Sequence, residues 1–241
     1  EQATAHLEPL RNLIFEEIRT RTQETDQTAP ARRGEYWYAT RTEEGRQYPT
    51  YVRMEGTPDG PEQVLLDVNE IAEDHDYTRV GLFDVSPDGT LLAYSVDHDG
   101  SEDYTIRFRD LTTGADLEDT LTGAYYSSAW SADGRHFFYT TFDAMHRPDR
   151  VWRHRIGTDQ GADVLTLHEH DDRMFLSIGL THDEAFVIAH AGSQTTSDVR
   201  FLPADDLDAD WQRGMPRVHA AAYQADHRRG RWLVATNLDA L

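Results

Sequence analysis

The sequence predicts an all-β fold, an incomplete β-propeller of four-stranded antiparallel blades behind one N-terminal helix. Three observations carry this expectation: a turn-and-strand unit that occurs four times, a spacing in the forties between its copies, and several short strand-like runs inside each spacing. The unit is clearest in Val85-Ser86-Pro87-Asp88-Gly89-Thr90-Leu91-Leu92-Ala93-Tyr94-Ser95. Pro87 presets φ for a turn, the Asp88 carboxylate can accept from nearby backbone, and Gly89 takes a conformation that side chains resist. Leu91 to Ser95 then read as a buried strand. Copies follow at residues 130–140, at 180–188 in weaker form, and at 226–234. Their aspartates, Asp88, Asp133, Asp183 and Asp226, stand 45, 50 and 43 residues apart.

Residues 1–19 form the helical unit, with Leu10, Leu13, Ile14 and Ile18 at spacings of three and four and Arg11, Glu16 and Glu17 turned elsewhere. Pro9 is tolerable only in a first turn. Residues 20–34 are polar, contain Pro30 and read as a linker. The propeller occupies 35–241. Blade one takes strands near 36–40, 48–54 and 64–66, and blade two takes 82–85, 91–96 and 104–110 with a turn at Thr112-Thr113-Gly114. Blade three takes 128–130, 137–141, 150–155 and 164–167. Blade four takes 175–179, 185–190, 199–202 and a weak edge around Trp211. A fifth unit starts at 218–223 and 232–236 and is expected to be cut mid-blade. Cutting such an array bares apolar blade faces, so self-association is expected.

With 44 acidic against 23 basic side chains, the 241 residues carry a net charge of −21, and every basic residue is Arg. Nucleic acid is a poor partner for such a surface. No apolar run approaches the ~20 residues of a membrane span, and there is no cysteine for disulfides, thiolate metal sites or a thiol nucleophile. A soluble, cytoplasmic protein without a cofactor is expected. The acidic surface either keeps the chain solvated or steers cationic peptides.

Three clusters invite a chemical reading. His168-Glu169-His170-Asp171-Asp172 puts two imidazoles on one strand face, but no spacing supplies further metal ligands, and a solvated inter-blade loop is expected. Asp97-His98-Asp99-Gly100-Ser101-Glu102-Asp103 has alternating carboxylates, yet the calcium-loop frame fails because Gly100 arrives early and the twelfth position is Phe108. An acidic hairpin is expected, its Asp99, Glu102 and Asp103 free to meet a cationic peptide end or another domain. Arg147, Arg150, Arg153 and Arg155 form a basic island, either a patch towards a neighbouring domain or partners for carboxylates within the propeller. Trp130, Tyr139, Trp152 and Trp232 recur at strand positions and are expected to pack between blades. The role of Tyr125-Tyr126 is open.

Several runs together resemble the oligopeptidase B (protease II) branch of the prolyl oligopeptidase family of serine peptidases. They are Tyr36-Trp37-Tyr38 with Glu44-Gly45-Arg46-Gln47-Tyr48-Pro49, Leu65-Leu66-Asp67-Val68-Asn69, Asp99-Gly100-Ser101-Glu102-Asp103-Tyr104, Arg109-Asp110-Leu111-Thr112-Thr113-Gly114, and above all the run from His146 to Arg155. The resemblance covers most of residues 7–190 and is looser afterwards. It implies a seven-bladed propeller that admits only short peptides, an α/β-hydrolase domain with a Ser-Asp-His triad, and cleavage after Arg or Lys. It also implies that the N-terminal helix packs on the hydrolase domain. None of the triad positions matches a residue here, and no G-x-S-x-G elbow occurs in the sequence. The 241 residues alone are therefore expected to be inactive. Asp99, Glu102, Asp103, Arg147, Arg150 and Arg153 are the candidate interdomain or substrate-facing residues. The alternative is a stand-alone propeller serving as a protein-interaction platform.

Overall fold

Local sequence explains the first element well. In the computed structural model, which describes residues 2–239, a 3-10 turn over Gln2–Leu7 leads into α1 (Glu8–Arg21). Pro9 lies in the first turn, where its missing N–H breaks no helical bond, and Arg19 and Arg21 sit at the negative end of the helix dipole. Leu10, Leu13, Ile14, Phe15 and Ile18 are all exposed. The chain divides into two compact units, Glu1–Asp74 and His75–Leu241.

In the first unit, β1 (Asp26–Gln27) and β2 (Ala31–Arg33) both lie antiparallel to β3 (Tyr36–Thr42). The stretch 20–34, expected as a linker, thus adds two short strands to blade one. Between them Thr28 continues the contact with β3: its N–H donates to the Thr40 carbonyl and its hydroxyl oxygen accepts from the Thr40 N–H, both at 2.9 Å. β4 (Thr50–Glu55) and β5 (Glu62–Asp67) complete the sheet around Ala39, Val52 and Met54. α2 (Val68–Ile71) starts at Asp67, whose carboxylate accepts the Asn69 N–H at 2.9 Å.

In the second unit β6 (Arg79–Val85), β7 (Leu91–Asp97), β8 (Tyr104–Asp110), β9 (Asp116–Trp130), β10 (His136–Phe142), β11 (Pro148–Arg155) and β12 (Val164–His168) form one antiparallel meander. Blades two and three were expected as separate sheets. Instead β9 runs through both: residues 116–124 pair with β8 and residues 124–130 with β10, the register slipping near Gly123, whose φ is +66°. Blade four comprises β13 (Phe175–Leu180), β14 (Phe186–Gly192), β15 (Ser197–Pro203) and the two-residue edge β16 (Gln212–Arg213). The fifth unit is the hairpin β17 (Tyr223–Arg228) and β18 (Arg231–Thr236). Its first strand begins at 223 rather than 218, because residues 218–221 close a turn, with Ala220 at φ +61° and the Ala221 N–H on the Val218 carbonyl.

The recurrent turn works through its hydroxyl and its aspartate together. Ser86 Oγ donates to Asp88 Oδ1 at 2.6 Å and accepts the Leu91 N–H at 2.9 Å, while Asp88 takes the Thr90 N–H at 3.0 Å. Ser131 and Asp133 repeat this arrangement. Gly89 and Gly134 supply the left-handed residue, at φ +72° and +65°. In the third copy Thr181 and Asp183 do the same work, yet the left-handed position is Glu184, at φ +55°. The fourth copy is a two-residue hairpin through Arg229 and Gly230, both at positive φ.

The core lies between blades. Leu82, Ile106, Phe108, Leu121, Trp130, Phe137 and Tyr139 fill the seam of blades two and three, with Trp130 Nε1 donating to the Asp84 carbonyl at 3.2 Å. Phe138, Val151, Leu176, Val187 and Leu202 fill the seam of blades three and four. Trp152 packs against the first cluster, and Trp232 stands 4.5 Å from Phe201 and 5.1 Å from Phe186, ring centre to ring centre. A buried ionic clamp reinforces the first seam. His154 is fully buried, with Nδ1 2.7 Å from Asp163 and Nε2 3.0 Å from Asp119, and the Tyr139 hydroxyl donates to Asp163 at 2.8 Å. Burial alone would lower the His154 pKa, but hydrogen bonds and charge from the two carboxylates outweigh it and hold it above 6.5.

Candidate functional site

Each meander in the second unit alternates between two rims. One rim holds the aspartate turns; the other holds the links from second to third strand and from blade to blade. The acidic hairpin lies on the second rim, and its shape comes from Asp97. That buried carboxylate accepts the N–H groups of Asp99 and Gly100 at 2.9 Å and of Glu102 at 3.0 Å. Asp99 and Asp103 are exposed, and Glu102 pairs with Arg79 at 2.8 Å. The carboxylate of Asp99 is held low by hydrogen bonds from Ser101.

The basic island divides. Arg147 is buried; it pairs with Asp143 at 3.0 Å and donates to the carbonyls of Asp171 and Met174, so it ties blade three to the start of blade four. Arg153 turns the other way along β11, to the Leu207 carbonyl and towards Asp208. Arg150 keeps a partly exposed guanidinium beside Asp149, at 3.1 Å. His168 also reaches Asp149, at 3.2 Å, with the His170 ring 4.0 Å away. Among the described residues no group of three or more His, Asp or Glu is placed to hold a metal ion. The Tyr125 and Tyr126 hydroxyls meet at 2.6 Å, and burial followed by that hydrogen bond pushes the Tyr125 phenol up.

Beside Arg147 a cavity of about 800 Å³ opens, a size suited to a few residues of peptide. The link from blade three to blade four gives it Asp171, Arg173 and Met174, the first residue of β13 gives Phe175, the turn after β14 gives Gly192 to Thr196, and the link into β17 gives Arg217 and His219. Behind the wall, Arg217 bridges Glu169 and Asp198, the latter at 2.8 Å; Arg213 and Arg200 also reach Asp198, at 3.0 and 3.3 Å. Burial pushes Glu169 up, but the Arg217 hydrogen bond and charge more than reverse it. Sequence reading missed Phe175, the polar turn at 193–196 and Arg217, because their meeting depends on three links brought together only by blade packing. The one local signal was the acidic run 168–172.

A family model describing the prolyl oligopeptidase N-terminal beta-propeller domain matches residues 1–241. The chain belongs to the prolyl oligopeptidase family. It is 36% identical to dipeptidyl aminopeptidase BI of Pseudoxanthomonas mexicana, over 98% of this chain and 35% of that protein. It is 33% identical to protease 2 of Moraxella lacunata, over 95% of this chain and 34% of that protein. Oligopeptidase B from Leishmania major superposes with a TM-score of 0.92 at 28% identity, over 99% of this chain and 34% of that one. The chain thus spans about a third of the length of the curated relatives it matches, and it corresponds to the propeller domain of prolyl oligopeptidase-family peptidases. Among the described residues no helix is long and apolar enough to cross a membrane.

Proposed function

We propose that the chain is the substrate-gating propeller of a serine oligopeptidase that hydrolyses short peptides after Arg or Lys, with the nucleophile on an α/β-hydrolase domain of the same protein. The observation that carries this reading is the peptide-sized cavity on a propeller of this family. A rigid wall of packed blades admits an extended peptide and turns away a folded protein. The 241 residues contain no G-x-S-x-G elbow, and without that strained turn a serine is not presented for attack on a carbonyl.

The exposed apolar face of α1, formed by Leu10, Leu13, Ile14 and Ile18, is the surface on which the hydrolase domain packs in this reading. Asp99 and Asp103 are exposed acids for that domain or for a basic peptide, Glu102 and Arg150 are partly exposed in pairs with Arg79 and Asp149, and Arg147 and Arg153 are engaged within the propeller. The test is hydrolysis of a fluorogenic Arg-ending peptide by this chain and by the full-length product of the same gene. Turnover by the full-length protein alone is the expected result. Turnover by the chain alone would overturn the division of labour, and silence in both would favour an interaction platform.

A further inference from the structure

The cavity differs in charge from the chain that builds it. Its formally charged lining residues are Asp171, Arg173 and Arg217, a surplus of one cation in a chain of net charge −21. Asp171, which lines the cavity, and Glu169 and Asp198 behind it all have arginine partners. Asp171 accepts the backbone N–H of Arg173 at 3.1 Å and its Nε and Nη2 at 2.8 Å each, and Arg217 lies 3.6 Å away. Glu169 takes Arg217 and the Asp171 N–H; Asp198 takes Arg213, Arg217 and Arg200.

Resting on the peptide-binding reading above, we propose that this cavity selects a carboxylate-bearing residue of the peptide, with Arg173 as the specificity-determining side chain. The Arg173 side chain is 76% exposed, so it can turn towards an incoming acid. When it does so Asp171 keeps the Arg173 backbone N–H at 3.1 Å and the Arg217 guanidinium at 3.6 Å. Phe175, 57% exposed, offers an apolar surface for the methylenes of an acidic side chain, and Ser193, Gln194 and Thr195 add neutral polar groups. A lysine or arginine placed here would meet the two guanidinium groups of Arg173 and Arg217, with Asp171 already paired to Arg173. The peptide would thus carry opposite charges at two positions, acidic in this cavity and basic at the bond cleaved.

The experiment is NMR titration of the ¹⁵N-labelled chain with Ac-Ala-Glu-Ala-NH2, Ac-Ala-Gln-Ala-NH2, Ac-Ala-Lys-Ala-NH2 and Ac-Ala-Gln-Ala-OH, following Phe175 and residues 193–196. The Glu peptide should bind roughly three- to fivefold tighter than the Gln amide, with the Lys peptide weakest, as a partly exposed ion pair allows. The preference should disappear in Arg173→Gln and weaken in 0.5 M salt. The peptide with a free C-terminus shows whether a terminal carboxylate serves as well as a side chain. Equal affinity for the Glu, Gln and Lys peptides, or tightest binding of Lys, would overturn the charge selection while leaving peptide binding intact. No perturbation by any of the four would overturn both.

Discussion

Replacing His154 by Gln tests whether the seam between blades two and three is held by charge as well as by apolar packing. The imidazole is fully buried and donates both N–H groups when protonated, at 2.7 Å to Asp163 and 3.0 Å to Asp119. Two hydrogen bonds to charged groups contribute about 1.5–3 kcal/mol each. Removing one partner from a buried ionic cluster costs about 3–5 kcal/mol, because the remaining charges lie away from water. Glutamine restores part of one bond, so the expected loss is about 3 kcal/mol, a large share of a stability of about 5–15 kcal/mol. Urea unfolding followed by tryptophan fluorescence at pH 5.5 reads this directly. The pH dependence has a definite sign. The folded pKa of His154 is raised above 6.5, so its contribution is complete below that value and is lost as pH rises through the folded pKa. The gap between wild type and variant should therefore narrow on the alkaline side. A loss below about 1 kcal/mol at pH 5.5, or a gap that stays constant with pH, would refute the clamp.

Two further outcomes follow from the same geometry. Glu184→Gly should raise stability by about 0.5–1 kcal/mol by relieving a left-handed residue, as a shift of the urea midpoint; a decrease would mean that the carboxylate's own contacts outweigh the backbone strain. Arg217→Gln should cost about 3 kcal/mol at pH 7 by stranding Glu169 beside Asp198. Because Glu169 is depressed in the folded chain, that difference should close as pH falls through the carboxylate range, and a difference unchanged between pH 7 and pH 4 would contradict it.

Much of the architecture was legible in the sequence because it is local. The Ser-x-Asp-Gly turn builds itself within six residues, and strands such as β7 and β8 fall within a residue of the hydrophobic runs that announce them. Features that depend on a neighbouring strand were not legible. β1 and β2 pair with β3 through backbone groups that no local pattern marks, and β9 changes partner at Ala124, which faces both Tyr104 and Thr141. The site shows the same division. The acidic hairpin was visible because its carboxylates are contiguous, but its organiser, Asp97, acts through backbone N–H groups that every sequence possesses. Arg147 was singled out for its charge, while its carbonyl acceptors, Asp171 and Met174, lie 24 and 27 residues away.

The shared strand β9 gives the second unit an uneven pattern of opening. Blades two and three share one seven-stranded sheet from β6 to β12, joined where Ala124 of β9 faces both Tyr104 of β8 and Thr141 of β10. Blade four has its own sheet and meets blade three through the link at 169–174 and through the shared core of Phe138, Val151, Leu176, Val187 and Leu202. Slow amide exchange should accordingly be shared across residues 79–168 and reach a distinct level from 175 onward. The cavity is lined by the link at 171–175, the turn after β14 and the link into β17, so movement of those links would change its width without breaking a single strand.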